Sequence, residues 1–314
     1  MRADTRFCLI TPTWSGDIDH FRLLRASLDR SPLVDVPHHV VVQTEDRALF
    51  DEFKSPAMRL CTTADVLPPD VEAARQWARL ASNRLGRHLT RLSGSVNQAT
   101  GWPHWPALTG WHTQQICKYA VARASGVDVA VVLDSDVIVT PWATLSDFQT
   151  EEHIRCFATW DKRSDIKGKV RNWVNQAEQL TEFVPVVGSQ VNTYFDTPFI
   201  LNCSVMNEML DWLETRHQAP WWQVMLSQPP RRWSEFGTYK AYLAKVAADR
   251  VDWCEPSMGR YLYDTSDEDR LAEQVKCFLK DPAIHFFSIH SQNSGRAQGN
   301  AFNPSFLHSL ITGN

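Results

Sequence analysis

The segment Val129-Ala130-Val131-Val132-Leu133-Asp134-Ser135-Asp136-Val137-Ile138-Val139 constrains this chain more than any other. A run of apolar, mostly β-branched residues drives into Asp-Ser-Asp, resumes as Val-Ile-Val and stops by Pro141. Such a run predicts a strand buried on both faces, in the middle of a parallel sheet. If the backbone stays extended, Asp134 and Asp136 point the same way, about 6.6 Å apart at a rise of about 3.3 Å per residue. Brought to about 5 Å, the two carboxylates repel by about 3 kcal/mol at an effective dielectric of about 20. A divalent cation turns that repulsion into attraction. Oxygen ligation suits Mg²⁺ or Mn²⁺, which commonly complete their shells with phosphate oxygens. The motif therefore predicts a metal–diphosphate site at the carboxyl end of a central strand, where open α/β sheets place ligands. The alternative is that Asp134 ends the strand and Asp136 sits solvated in a turn.

Composition narrows the classes. The length of 314 residues fits one catalytic unit with elaborations, about 1–140 for nucleotide and metal and about 141–314 for an acceptor. A net charge of −4 gives no support for nucleic-acid binding. No stretch approaches the roughly 18 apolar residues of a transmembrane helix, and Met1 to Leu9 lacks the apolar core of a secretory signal. Seven scattered cysteines without a Cys-x-x-Cys pair suit reduced thiols and argue against a zinc cluster. A cytoplasmic location is expected, either free or at the inner face of the membrane. The 13 tryptophans are a weak pointer to sugar-ring stacking.

Along the chain, Phe7 to Pro12 predicts a first strand and His39 to Thr44 a second, each followed by a helix; the first helix has Phe21, Leu24 and Leu28 on its apolar face. Strand–helix–strand–helix at these lengths predicts a parallel crossover sheet. A helix over 71–92 carries Arg75, Arg79, Arg84, Arg87 and Arg91 near one face, either solvated or facing an anionic lipid or polymer. A Trp-rich loop over 94–110 precedes a helix over 112–124 that leads into the Asp-Ser-Asp strand. Strands follow at Ile154 to Trp160 and Phe199 to Asn202, with a helix over 207–216 after the latter. Ser234 is placed to cap a helix that has Glu235 in its first turn. A last short strand runs from His285 to His290.

The order of these features resembles the GT-A fold of nucleotide-sugar glycosyltransferases. More narrowly, it looks like an uncharacterised bacterial family assigned to those enzymes. It shares with that family the Ile-Thr-Pro start, the Gly110-Trp111-x-x-Gln114-Gln115-x-x-Lys118 helix and the Ser234-Glu235-aromatic segment. The resemblance spans about Phe7 to Gly295. It implies a Rossmann-like α/β fold with a mostly parallel central sheet flanked by helices and with helical elaborations. It also implies metal-dependent transfer of a sugar from a nucleotide-sugar donor to a saccharide or lipid-linked glycan acceptor, as in surface polysaccharide synthesis.

Under that resemblance, Asp134, Asp136 and His290 hold Mn²⁺ or Mg²⁺. Thr11, Pro12, Thr13, Asp46, Lys118, Asp134 and Ser135 bind the nucleotide donor. Trp111, Asn202, Trp233 and Glu235 bind the acceptor or the transferred sugar; Glu235 is the general base if the enzyme inverts and a ligand for acceptor hydroxyls if it retains. Each has a plainer alternative: a strand-end hydrogen bond for His290 or His285, an exposed helix position for Lys118, and helix capping for Asp46 and Glu235. Rival functions are a nucleotide-sugar-forming enzyme, a haloacid-dehalogenase-like phosphatase, and a non-catalytic nucleotide- or glycan-binding module. The phosphatase also uses Asp-x-Asp after an apolar strand, but near the start of its catalytic domain.

Overall fold

The computed structural model describes residues 5–80, 110–183, 190–229, 232–264, 266–290 and 304–313. Trp102, Trp105, Arg84, Arg87 and Arg91 lie outside the described residues. The central sheet has five strands: β1 (Phe7–Pro12), β2 (His38–Val42), β3 (Met58–Thr62), β4 (Val129–Val132) and β9 (Phe199–Asn202), in the order β3-β2-β1-β4-β9. The first four run parallel, while β9 pairs antiparallel with β4, Val129 opposite Asn202 and Val132 opposite Phe199. This is the α/β arrangement expected, with a mostly parallel central sheet flanked by helices.

Period-two alternation along the strands divides the interior into two cores. Cys8, Ile10, Ala130, Val132, Phe199 and Leu201 face one side, against the helices Trp111–Ser125, Cys203–His217 and Glu235–Val246. Leu9, Val40, Val129, Val131 and Ile200 face the other, against Phe21, Leu24 and Leu28 of the helix Ile18–Leu28. With both faces covered, β4 has no room for polar residues, and its four residues are all buried. The carboxylates are confined to the end of the strand.

That end departs from the sequence expectation. The backbone does not stay extended through Asp-Ser-Asp: β4 stops at Val132, and Val137 N–H donates to Asp134 O at 3.1 Å across a turn. The apolar residues beyond the turn form β5 (Val137–Val139), which joins a second sheet in the order β11-β12-β5. Here β12 (Phe286–Ile289) runs antiparallel to β5 and parallel to β11 (Gly259–Leu262). The β-branched run is continuous in sequence because both halves are buried, in different sheets.

Two further expectations change. The helix expected over 207–216 starts earlier, at Cys203, where Asn202 caps it by accepting from Val205 N–H. The arginine face of the 69–80 helical stretch is not solvated at Arg75, which is 1% exposed and bound to Glu72 at 2.7 Å and Glu45 at 3.1 Å. Arg79 also reaches Glu45, at 2.9 Å. Among the described residues no helix is long and apolar enough to cross a membrane.

Candidate functional site

Four chain segments meet at the carboxyl edge of β1 and β4. The turn after β4 brings Asp134, Ser135 and Asp136. Because β9 is antiparallel, its approach segment, Tyr194 to Thr197, arrives at the same edge, and Thr197 Oγ1 lies 3.4 Å from Asp134 N–H. The end of β12 brings His290, tied into register by Ile289 N–H on Asp136 O and His290 N–H on Leu262 O, both 3.0 Å. The helix ahead of β4 brings Lys118.

His290 Nδ1 stands 3.6 Å from Asp136 Oδ2. Its ring lies flat against Tyr263, with centroids 4.6 Å apart and planes 5° apart, and Tyr261 stacks beyond at 5.9 Å. This packing fixes the orientation of the imidazole, whose Nε2 is buried and has no hydrogen-bond partner among the described residues. Burial lowers the His290 pKa, opposed by Asp196 and Asp134. Asp134 Oδ1 is likewise buried without a hydrogen bond. Burial raises the Asp136 pKa to about 8, reinforced by the neighbouring charges of Asp134, Asp17 and Asp196. Asp196 is raised as well, by its enclosure in the cleft and by Asp134, although the residue keeps one face open to solvent. These acids destabilise one another, and among the described residues no arginine pairs with them.

Lys118 is 3% exposed, with Nζ 3.0 Å from Glu235 Oε1 and 3.4 Å from Asp134 Oδ1. The second distance permits an ion pair, but the atoms are not aligned for a hydrogen bond. Burial opposes the ammonium charge, yet Asp134 and Glu235 together hold the lysine pKa above its ordinary value. Glu235 is itself 1% exposed. Ser234 caps its helix by accepting from Gly237 N–H, and Gln115, with its amide nitrogen toward Glu235, donates to both carboxylate oxygens. Tyr119 Oη donates to the Glu235 carbonyl at 2.5 Å. Glu235 was expected on a pocket rim as a general base. It is instead buried behind Lys118 because the cap that starts its helix sits inside the core.

Other expected residues fall elsewhere. The Thr11 side chain is fully buried and bonded to His38 Nε2 at 2.9 Å, beneath the sheet edge. Thr13 is buried, and Pro12 O accepts from Gln114 Nε2 at 3.4 Å. Ser135 is buried in the turn. Asp46 caps no helix with its side chain; its carboxylate accepts from Ser15 N–H at 2.9 Å and pins the loop after β1. Trp111 stacks on Trp173 at 5.5 Å, under Lys169, and its indole N–H donates to Trp233 O. Trp233, expected at a rim, is 0% exposed and stacks on His112. Asn202 lies at the opposite edge, level with the start of β4, because β9 runs antiparallel. His285 is engaged by Asp147 at 2.9 Å and by Pro282 O.

Asp196, Tyr261 and Tyr263 were not identified from sequence. An acid directly ahead of a buried strand was the available signal for Asp196; the tyrosines had none. Among the described residues, no three His, Cys, Asp or Glu side chains already close into a metal cage. The donors nonetheless fit a hydrated divalent cation: two neighbouring carboxylates, of which Asp134 Oδ1 meets Lys118 without an aligned hydrogen bond, and an imidazole whose buried Nε2 has no hydrogen-bond partner among the described residues.

Fold and site together define an α/β protein with a cluster of acids at the carboxyl edge of its sheet. The chain belongs to the family of unknown function DUF6492, whose model matches residues 12–276. No curated protein matches the sequence. Among solved structures, it is similar to the apo-form glycosyltransferase GlyE of Streptococcus pneumoniae TIGR4, at 13% identity and a TM-score of 0.40. That match covers 98% of this chain, which spans 60% of the GlyE chain. It is also similar to the galactosyltransferase LgtC in complex with donor and acceptor sugar analogues, at 11% identity and TM-score 0.44, covering 97% of this chain and 95% of that one. Mouse xyloside xylosyltransferase 1 matches at 8% identity and TM-score 0.43, covering 92% and 99%. All three are glycosyltransferases, and likeness at this level lends no weight to a particular chemistry for this chain.

Proposed function

We propose that this protein is a metal-dependent glycosyltransferase of GT-A type, moving a sugar from a nucleotide-sugar donor to a saccharide or lipid-linked glycan acceptor. The supporting observation is the carboxylate pair at the end of the central strand, Asp134 with a buried oxygen that meets Lys118 as an ion pair without an aligned hydrogen bond, and Asp136 beside His290. Asp134, Asp136 and His290 would hold Mn²⁺ or Mg²⁺. When bound, such an ion neutralises charge on a diphosphate leaving group.

The chain's own residues supply the rest. Lys118 holds a buried positive charge beside Asp134 and sets where that carboxylate can point. Glu235 and Gln115 keep Lys118 there, so Glu235 acts through the lysine rather than on the acceptor hydroxyl. Asp196, at the open rim of the cleft, is the carboxylate best placed to accept hydrogen bonds from sugar hydroxyls. Asp136 keeps a proton at neutral pH in the metal-free protein, as its pKa near 8 requires, and gives it up when a cation binds.

The test is calorimetric titration of a panel of nucleoside diphosphates, with Mn²⁺ and with EDTA. Binding by at least one of them only in Mn²⁺ is expected, together with slow hydrolysis of the matching nucleotide sugar. Binding to none, or phosphate release from simple phosphomonoesters instead, would reject the assignment.

A further inference from the structure

Beside the acidic cleft lies a second cavity of about 250 Å³, apolar over most of its wall. It is hollowed between the helices Gly168–Thr181 and Glu235–Val246, where small residues face each other: Ala177 on one, Gly237, Ala241 and Ala244 on the other. Larger side chains at these positions would fill the space. A Cβ on Gly237 would already touch Ala177 and Phe195 at 3.4 Å. Trp160 and Trp253, with ring centroids 5.6 Å apart, form the outer wall.

The cavity has one unsatisfied polar contact. Asn192 Oδ1 accepts from Lys240 Nζ at 3.2 Å and from Tyr194 N–H at 3.0 Å, but its Nδ2 is buried with no partner among the described residues. The Lys240 ammonium, by contrast, is fully used: besides Asn192 it donates to the carbonyls of Phe157 and Tyr194, at 2.6 and 2.5 Å. The pocket therefore offers mostly apolar surface; the Glu178 carboxylate in its wall is paired with Arg163, and Asn192 Nδ2 is sealed behind the wall. Ligand pockets commonly have this make-up, mostly apolar with a few placed polar groups. A cavity of about 150 Å³ suffices for benzene, so 250 Å³ takes an aliphatic chain of about eight carbons.

The location gives this pocket a use. Phe195 in its wall immediately precedes Asp196 of the acidic site, and Gly237 stands two residues after Glu235 on the opposite face of the same helix. We propose that the pocket binds the aliphatic portion of the acceptor molecule, whose polar head then lies toward Asp196. The assignment of the chain to an acceptor rests on the glycosyl-transfer function; the pocket's affinity for an aliphatic chain does not.

Octyl β-glucoside, kept below its micelle concentration, is the probe, with glucose as control, titrated into the full chain by calorimetry. Octyl glucoside is expected to bind with a Kd of about 1 mM or tighter, driven by apolar burial, and glucose to show no binding. Ala244→Leu fills the cavity and is expected to weaken octyl glucoside at least about tenfold while raising Tm. Ala241→Leu is the second variant should the first fold poorly. Asp134→Asn should leave octyl glucoside affinity unchanged, so the pocket stands or falls separately from nucleotide binding. Absence of octyl glucoside binding, or leucine variants that bind like wild type, would overturn the proposal.

Discussion

The two edges of the central sheet are both rich in acid and use it in opposite ways. At the amino edge of β4, around a polar cleft of about 1190 Å³, three of the lining carboxylates are matched to arginines. Asp128 takes the Arg6 backbone N–H at 2.9 Å and its guanidinium at 3.5 Å, Asp211 takes Arg123 at 2.7 Å, and Glu208 takes Arg250 at 2.7 Å. At the carboxyl edge, burial and the nearby Asp134 charge raise the pKa of both Asp136 and Asp196, and these acids share an imidazole and one buried lysine that Glu235 also claims. Acids neutralised where they stand are surface structure. Acids held against each other cost stability, and a fold tolerates that cost where a ligand removes it.

The contrast can be broken by substitution, and the largest effect belongs to the carboxyl edge. Asp134→Ala is expected to lower Mn²⁺-dependent nucleoside diphosphate affinity at least about 100-fold, since a charged ligand to the ion is lost. Undiminished binding in a calorimetric titration would remove Asp134 from the ligand site. Lys118→Met comes next: it leaves Glu235 buried and unpaired, and breaking a buried pair from one side costs about 3–5 kcal/mol. Urea unfolding reads this loss directly, and a change under about 1 kcal/mol would mean the pair carries no such charge.

A smaller effect sharpens the role of Asp136. Its folded pKa of about 8 lies above the unfolded value of 3.8, so the folded chain binds the extra proton between those limits. Its stabilising contribution is therefore full below about pH 4 and lost as pH rises through about 8. In EDTA, Asp136→Asn should melt a few degrees above wild type near pH 8.5 and level with it near pH 4. A Tm difference independent of pH would contradict the crowding of acids at this edge. The smallest effect belongs to the amino edge, where Asp211→Asn breaks an exposed pair worth at most about 1 kcal/mol and leaves nucleotide binding untouched.

Local pattern was legible in the sequence wherever one short segment decides the outcome. The β4 strand, the acidic pair at its end, the Ser234 cap and the apolar face of Phe21, Leu24 and Leu28 all follow from periodicity and capping chemistry. What stayed hidden depends on partners far along the chain. The turn at Asp134–Asp136 is invisible because β5 is as apolar as β4. The place of Asn202 follows from the direction of β9, which no residue within the strand encodes. Lys118 reads as an exposed helix lysine until Glu235, 117 positions later, is brought beside it. Tyr261 and Tyr263 reach His290 only through the pairing of β11 with β12.

The central claim is that the crowded acids after β4 are a cation's ligands. Crystals soaked with Mn²⁺ and a nucleoside diphosphate, with data collected near the manganese absorption edge, test it most directly. An anomalous peak within ligand distance of Asp134, Asp136 and His290, lost in Asp134→Ala, is the predicted result. Clear nucleotide density with no anomalous peak at those side chains would contradict it.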